Sequence, residues 1–151
     1  MQPTKMLTLM AVVLLVACPE GDSDKPYLEF VGGGFIFNYR LAEADYGFVA
    51  KVARRIPRGT IIEAVFENPS GEEPFVIRQT AKWGQLQYTF RTPPVRGVKA
   101  HRDYHVKLRL LDPDDQHVIA TYTKTFRSNV DQSILPEHPT VIGPGHQPAI
   151  R

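Results

Sequence analysis

The strongest constraint on this chain lies between residues 104 and 110, where Tyr104, Val106, Leu108 and Leu110 alternate with His105, Lys107 and Arg109. A period of two puts the apolar side chains on one face and the polar ones on the other, the mark of a half-buried β-strand. Asp112-Pro113-Asp114-Asp115 follows as a hairpin turn, and the return segment carries Val118, Ala120, Tyr122 and Phe126 on one face. Pairing of the two segments is strongly specified, because a slip of one residue would turn the whole apolar set toward water.

The same alternation recurs from Tyr27 onward. Leu86, Tyr88 and Phe90 share a face opposite Gln87, Thr89 and Arg91, and Pro93-Pro94 ends that run. Tyr27 to Arg40 reads as a strand interrupted by Gly32-Gly33-Gly34, where a bulge or a sheet crossing is expected, with Phe35, Phe37, Tyr39 and Leu41 on one face beyond it. Leu41 to Tyr46 is the one stretch expected to form a short helical turn. Phe48, Ala50 and Val52 suggest the next strand, closed by a turn at Arg54–Gly59. Thr60 to Glu67 runs to the turn Asn68-Pro69-Ser70-Gly71, after which Phe75 to Thr80 returns antiparallel. Seven strand-like runs with short turns predict an all-β fold, a single sandwich of two antiparallel sheets over residues 27–127.

The Tyr104 run and its Asp-rich hairpin resemble the penultimate strand of immunoglobulin-like and fibronectin-type-III-like domains. The resemblance covers residues 103–126 and implies an immunoglobulin-like sandwich in which Tyr104 pins the preceding corner through its hydroxyl. A transthyretin-like sandwich is the alternative topology.

At the other end of the chain, Lys5 and the terminal amine precede an apolar run from Met6 to Val16, and small Ala17 follows. This is the anatomy of an export signal. The run stops well short of the roughly 20 apolar residues of a permanent span, since Pro19, Glu20, Asp22 and Asp24 come directly after it. Leu15-Val16-Ala17-Cys18 resembles the lipobox of bacterial lipoproteins. That resemblance implies a signal peptide of residues 1–17, cleavage between Ala17 and Cys18, and acylation of the Cys18 sulfur and new amine. Several acyl chains on one residue give stable anchoring where one alone is marginal. The implied address is the bacterial cell envelope outside the cytoplasm, on the periplasmic face or the cell surface, with residues 18–26 as a polar tether. An ordinary secretory signal and a released product is the alternative.

Cys18 is the chain's single cysteine, so an intrachain disulfide and a cysteine zinc site are both excluded. Residues 128–151, punctuated by Pro136, Pro139, Pro144 and Pro148, are expected to be an extended tail, with Ile134-Leu135 and Val141-Ile142 as an apolar cluster able to dock.

Charge is nearly balanced overall, with 18 Lys and Arg against 16 Asp and Glu. Between residues 78 and 109, however, Arg78, Lys82, Arg91, Arg96, Lys99, Arg102, Lys107 and Arg109 face only Asp103. Such a stretch is either a basic face for anionic lipid, glycan or protein, or a set of outward positions balanced by acids on neighbouring strands. Hydrolase, nucleotide-binding and metal motifs are absent, and His101-x-x-x-His105 enters a strand, where side chains four apart lie about 13 Å from each other. The expectation is therefore a noncatalytic binding or assembly module without cofactor, metal or nucleic-acid partner. The lipobox resemblance implies a membrane partner through the lipid on Cys18, and an envelope protein is the expected further partner. Glycan or lipid binding is the alternative, and an enzyme with a scattered site comes last. Candidate binding residues are Trp83, whose ring offers a platform beside Gly84 unless it packs under a loop, and Arg96, Lys99 and Arg102.

Overall fold

The computed structural model describes residues 24–114, 116–142 and 147–148, so Cys18, the signal region and most of the tether lie outside the described residues. Seven strands carry the fold: β1 (Leu28–Asn38), β2 (Glu43–Val52), β3 (Ile61–Phe66), β4 (Phe75–Thr80), β5 (Gln87–Arg91), β6 (Asp103–Leu111) and β7 (Val118–Arg127). They form one sheet in the order β1-β2-β5 and a second in the order β4-β3-β6-β7, with every pairing antiparallel. This is a β-sandwich of two antiparallel sheets whose fourth strand lies on the edge of the second sheet. The predicted seven-stranded all-β fold is the one observed.

Inward side chains of both sheets fill the space between them. Tyr46, Phe48, Phe66, Tyr88, Phe90 and Tyr104 are almost fully buried. Tyr46 is the hub, stacked on Phe35 at 4.6 Å between centroids and edge-on to Phe66 at 5.2 Å. Its hydroxyl donates to the Glu67 carbonyl, and burial, with Glu67 and Tyr104 nearby, pushes its ionisation well above the ordinary tyrosine range. It is a neutral donor at any pH the fold meets.

The corner before β6 is pinned as the resemblance implies. Lys99 N–H donates to the Tyr104 hydroxyl at 2.7 Å. Tyr104→Phe is expected to cost about 1 kcal/mol, the net worth of one hydrogen bond, with no change of fold. A midpoint in urea identical to that of the parent chain would show that water replaces the hydroxyl without loss.

Two bulges decide which side chains reach the core. Register shifts between Phe30 and Gly32, so Val31 is the extra residue and lies one position before the glycine triplet. A second shift, opposite Leu110–Leu111, inserts Ile119 in β7 and leaves Val118 half exposed rather than on the Tyr122–Phe126 face. No helical turn forms over residues 41–46. Tyr39–Ala42 is a tight turn with Ala42 at φ +54°, and β2 begins at Glu43 to bury Ala44 and Tyr46. Tyr39 and Leu41 consequently lie in that turn and do not extend the Phe35–Phe37 face.

Among the described residues after β7, 128–141 are docked on the domain rather than loose. Gln132 opens a 3-10 turn (Gln132–Ile134), donates its backbone N–H to the Val98 carbonyl at 2.9 Å and its side-chain amide to the Val95 carbonyl at 2.8 Å. Leu135 packs against the core, and Val141 is buried at the start of β8 (Val141–Ile142), which pairs with β9 (Gln147–Pro148). The prolines keep this segment extended, while its polar side chains satisfy backbone groups of the loop they cover.

Candidate functional site

Strand directions sort the loops into two poles. At one pole lie the chain's entry at Tyr27, the β2–β3 loop, the β4–β5 turn and the β6–β7 hairpin. Ala53 N–H donates to the Tyr27 carbonyl at 3.0 Å and Val52 N–H to the Leu86 carbonyl at 2.9 Å. A Cβ at Gly59 would meet the Pro113 ring at 3.8 Å. At the opposite pole are the β1–β2 turn and the long β5–β6 connection.

Trp83 belongs to the entry pole. Lys82 to Gln85 form a turn closed by Gln85 N–H donating to the Lys82 carbonyl at 3.3 Å, with Gly84 at φ +78° in the third position, as a type II turn requires. The turn is anchored from below: Lys82 N–H donates to the hydroxyl of buried Tyr88 at 3.0 Å, and Ala81 N–H to the Thr60 carbonyl at 2.8 Å. Trp83 at the second position is thereby thrust outward and is 83% exposed. Leu86, expected inside with Tyr88 and Phe90, is 75% exposed, because it precedes β5 and lies past the end of the core. Together with Ile56 and Arg55 these side chains line a shallow groove of about 280 Å³.

Arg96, Lys99 and Arg102 lie at the other pole, separated from Trp83 by the length of β5, about 17 Å. The structure therefore does not bring the four candidate residues into one site. Arg102 contributes an ion pair with Glu67 at 2.9 Å. Arg96 and Lys99 are exposed and have no ion pair among the described residues. Their loop is held from both sides. Val95 and Val98 are buried, Val95 N–H donates to the Ala44 carbonyl at 2.7 Å, and Ala100 N–H donates to the Asp131 carboxylate at 3.0 Å. The two cations project from a preorganised backbone.

The basic run of residues 78–109 thus divides. Arg78 and Arg109 share the buried carboxylate of Glu63, Arg91 grips Asp45 through two bonds of 2.5 and 2.6 Å, and Arg102 pairs with Glu67. These four are balanced by acids on neighbouring strands. Lys82, Arg96, Lys99 and Lys107 have no ion pair among the described residues.

A further concavity lies on the outer face of the three-stranded sheet, where Gly34 pairs directly with Gly47. With no side chains there, a depression of about 410 Å³ opens between Ile36, Val49, Thr89 and Arg91. The glycines were the visible signal, although the pairing of Gly34 with Gly47 depends on the upstream bulge. Among the described residues, no group of three His, Cys, Asp or Glu side chains is placed to hold a metal ion.

Comparison with protein-family models, with curated proteins and with solved structures finds no match to this chain.

Proposed function

We propose that this chain is an envelope lipoprotein, lipidated at Cys18 after removal of residues 1–17, whose sandwich acts as a noncatalytic binding or assembly module. The observation that carries the reading is the division of the domain into two poles. The chain enters at one of them, and the other presents Arg96 and Lys99 on a loop clamped by Asp131 and Gln132. Anchoring at the entry pole leaves the opposite pole to face outward. Preorganised cations without internal partners suit an acidic protein surface, since little ordering is needed on binding. Tethering raises the effective concentration of this surface for other membrane-held proteins.

The test is cross-linking of the full-length protein in its native envelope, beside Cys18→Ser and an Arg96→Glu/Lys99→Glu double variant. One dominant cross-linked protein is expected, lost with Cys18→Ser and weakened by on the order of tenfold by charge reversal. Undiminished capture by the double variant would remove this pole from the interface. An unmodified Cys18 in an intact-mass spectrum would remove the anchor. Exposure of Trp83 favours a second reading, glycan binding at the entry pole, which requires polysaccharide binding that Trp83→Ala abolishes.

A further inference from the structure

We propose that the entry pole is a membrane-docking surface, which seats Trp83 and Leu86 at the headgroup level of an anionic phospholipid bilayer while Arg55, Arg58 and Lys82 pair with lipid phosphates. The inference rests on the lipidation of Cys18 proposed above, and it assigns these loops a role that the acyl anchor alone does not require.

Three observations converge on it. Trp83 and Leu86 are large apolar side chains, 83% and 75% exposed, lining one groove with Ile56. Indole and aliphatic groups held outward beside cations are the chemistry of the membrane interface, where an amphipathic ring sits between headgroups and acyl chains. Arg55, Arg58 and Lys82 are exposed and have no ion pair among the described residues, and the two loops that carry them contain no Asp or Glu. A negative bilayer surface attracts such cations within a Debye length of about 8 to 10 Å.

The third observation is where the chain arrives. The Tyr27 carbonyl accepts from Ala53 and Arg54 N–H at 3.0 and 3.4 Å, and the Arg54 guanidinium lies 3.6 Å from the centre of the Tyr27 ring. Upstream residues therefore leave the domain beside the loop that carries Arg55 and Arg58. Five residues lie between Cys18 and Asp24, so even fully extended the six steps from one to the other span only about 20 Å. A lipid on Cys18 would therefore keep this pole the part of the domain nearest its anchor in the bilayer. Asp112 and Asp114 of the β6–β7 hairpin also lie at this end but belong to the other sheet. Repulsion there leans the domain onto its β2–β5 side, where Trp83 is.

Trp83 is the chain's single tryptophan, so its fluorescence reports the docking directly. The full-length lipidated protein is reconstituted with phosphatidylcholine vesicles and with mixed phosphatidylcholine–phosphatidylglycerol vesicles, and two quantities are read: flotation with the vesicles, and Trp83 emission with quenching by brominated lipid. Docking predicts a blue shift and quenching on the mixed vesicles. Both should be lost in Arg55→Glu/Lys82→Glu while flotation persists, and both retained in Arg96→Glu/Lys99→Glu, with unfolding midpoints confirming that the variants fold. Flotation with unshifted Trp83 overturns docking and leaves the anchor standing. Shifted emission with an unmodified Cys18 overturns the anchor and leaves the lipid-binding surface. A shift produced only by polysaccharide or an acidic protein, without lipid, assigns the surface to that occupant and overturns the proposal.

Discussion

Gly47→Ala is expected to lower the unfolding free energy by about 3 kcal/mol, which for a domain of this size lowers the melting midpoint by on the order of 10 °C. Gly47 sits in the central strand of the three-stranded sheet, opposite Gly34 on β1 and Arg91 on β5. A methyl group there would overlap the Phe90 carbonyl oxygen and come within 3.0 Å of the Arg91 Cα. Both obstacles are backbone, so relief requires spreading β2 from β5 and breaking ladder hydrogen bonds rather than turning a side chain. Gly32→Ala is the control, since a Cβ at Gly32 meets nothing within 4 Å, and its expected cost is within about 0.5 kcal/mol of zero. Thermal unfolding of the two variants beside the parent checks both figures. Equal midpoints for Gly47→Ala and the parent would mean that the sheet is far softer than its contacts indicate.

Glu63→Ala is expected to cost about 2 kcal/mol at neutral pH, less than the roughly 3 to 5 kcal/mol of a fully enclosed pair, because both arginines reach water. Glu63 lies on the outer face of β3 and is nevertheless only 1% exposed, covered by Arg78 from β4 and Arg109 from β6. Arg78 Nε donates to one carboxylate oxygen at 2.7 Å and Arg109 Nε to the other at 2.8 Å. Burial works against the charged form, but the hydrogen bonds and charges of Arg109 and Arg78 outweigh it and hold the carboxyl below its ordinary range. A depressed folded value means that this contribution is complete above the unfolded value of about 4.3 and is lost as pH falls through the folded one. The stability gap between parent and Glu63→Ala should accordingly be constant from neutral pH to about 5 and narrow below about 4. Urea unfolding across that range measures it, and a gap that widens in acid would contradict the assignment.

How far the candidate sites could be read in advance differs between the poles. Lys82-Trp83-Gly84 already contained the turn that exposes the indole, because a glycine at the third turn position supplies the positive φ. Nothing local to the sequence showed that Leu86 joins Trp83 outside the core. That depends on where β5 begins, one residue after Leu86, and on which strand covers its end. Similarly, Arg78, Arg91 and Arg109 looked as available as Arg96 and Lys99. Only the pairing of strands brought Glu63 and Asp45 beside them.

By itself, the sequence determined what is local and periodic: alternation in β6 and its hairpin partner, the turns at Asn68–Gly71 and Asp112–Asp114, and the corner tyrosine at Tyr104. These follow from backbone geometry and the side chains within a few residues of each position. The tertiary structure decided what depends on register across strands. It placed the bulges at Val31 and Ile119, and with them the parity by which Phe30 and Phe35, on opposite faces of an unbroken strand, both turn inward. It docked Asp131 and Gln132 on the β5–β6 connection and Thr140 and Val141 on the β1–β2 turn, and set Trp83 and Arg96 at opposite ends of the sandwich. The reason is physical: a strand's own pattern states which residues seek burial, whereas the neighbour it finds, and the side on which each surplus charge is satisfied, are set by hydrogen bonds between segments far apart in the chain.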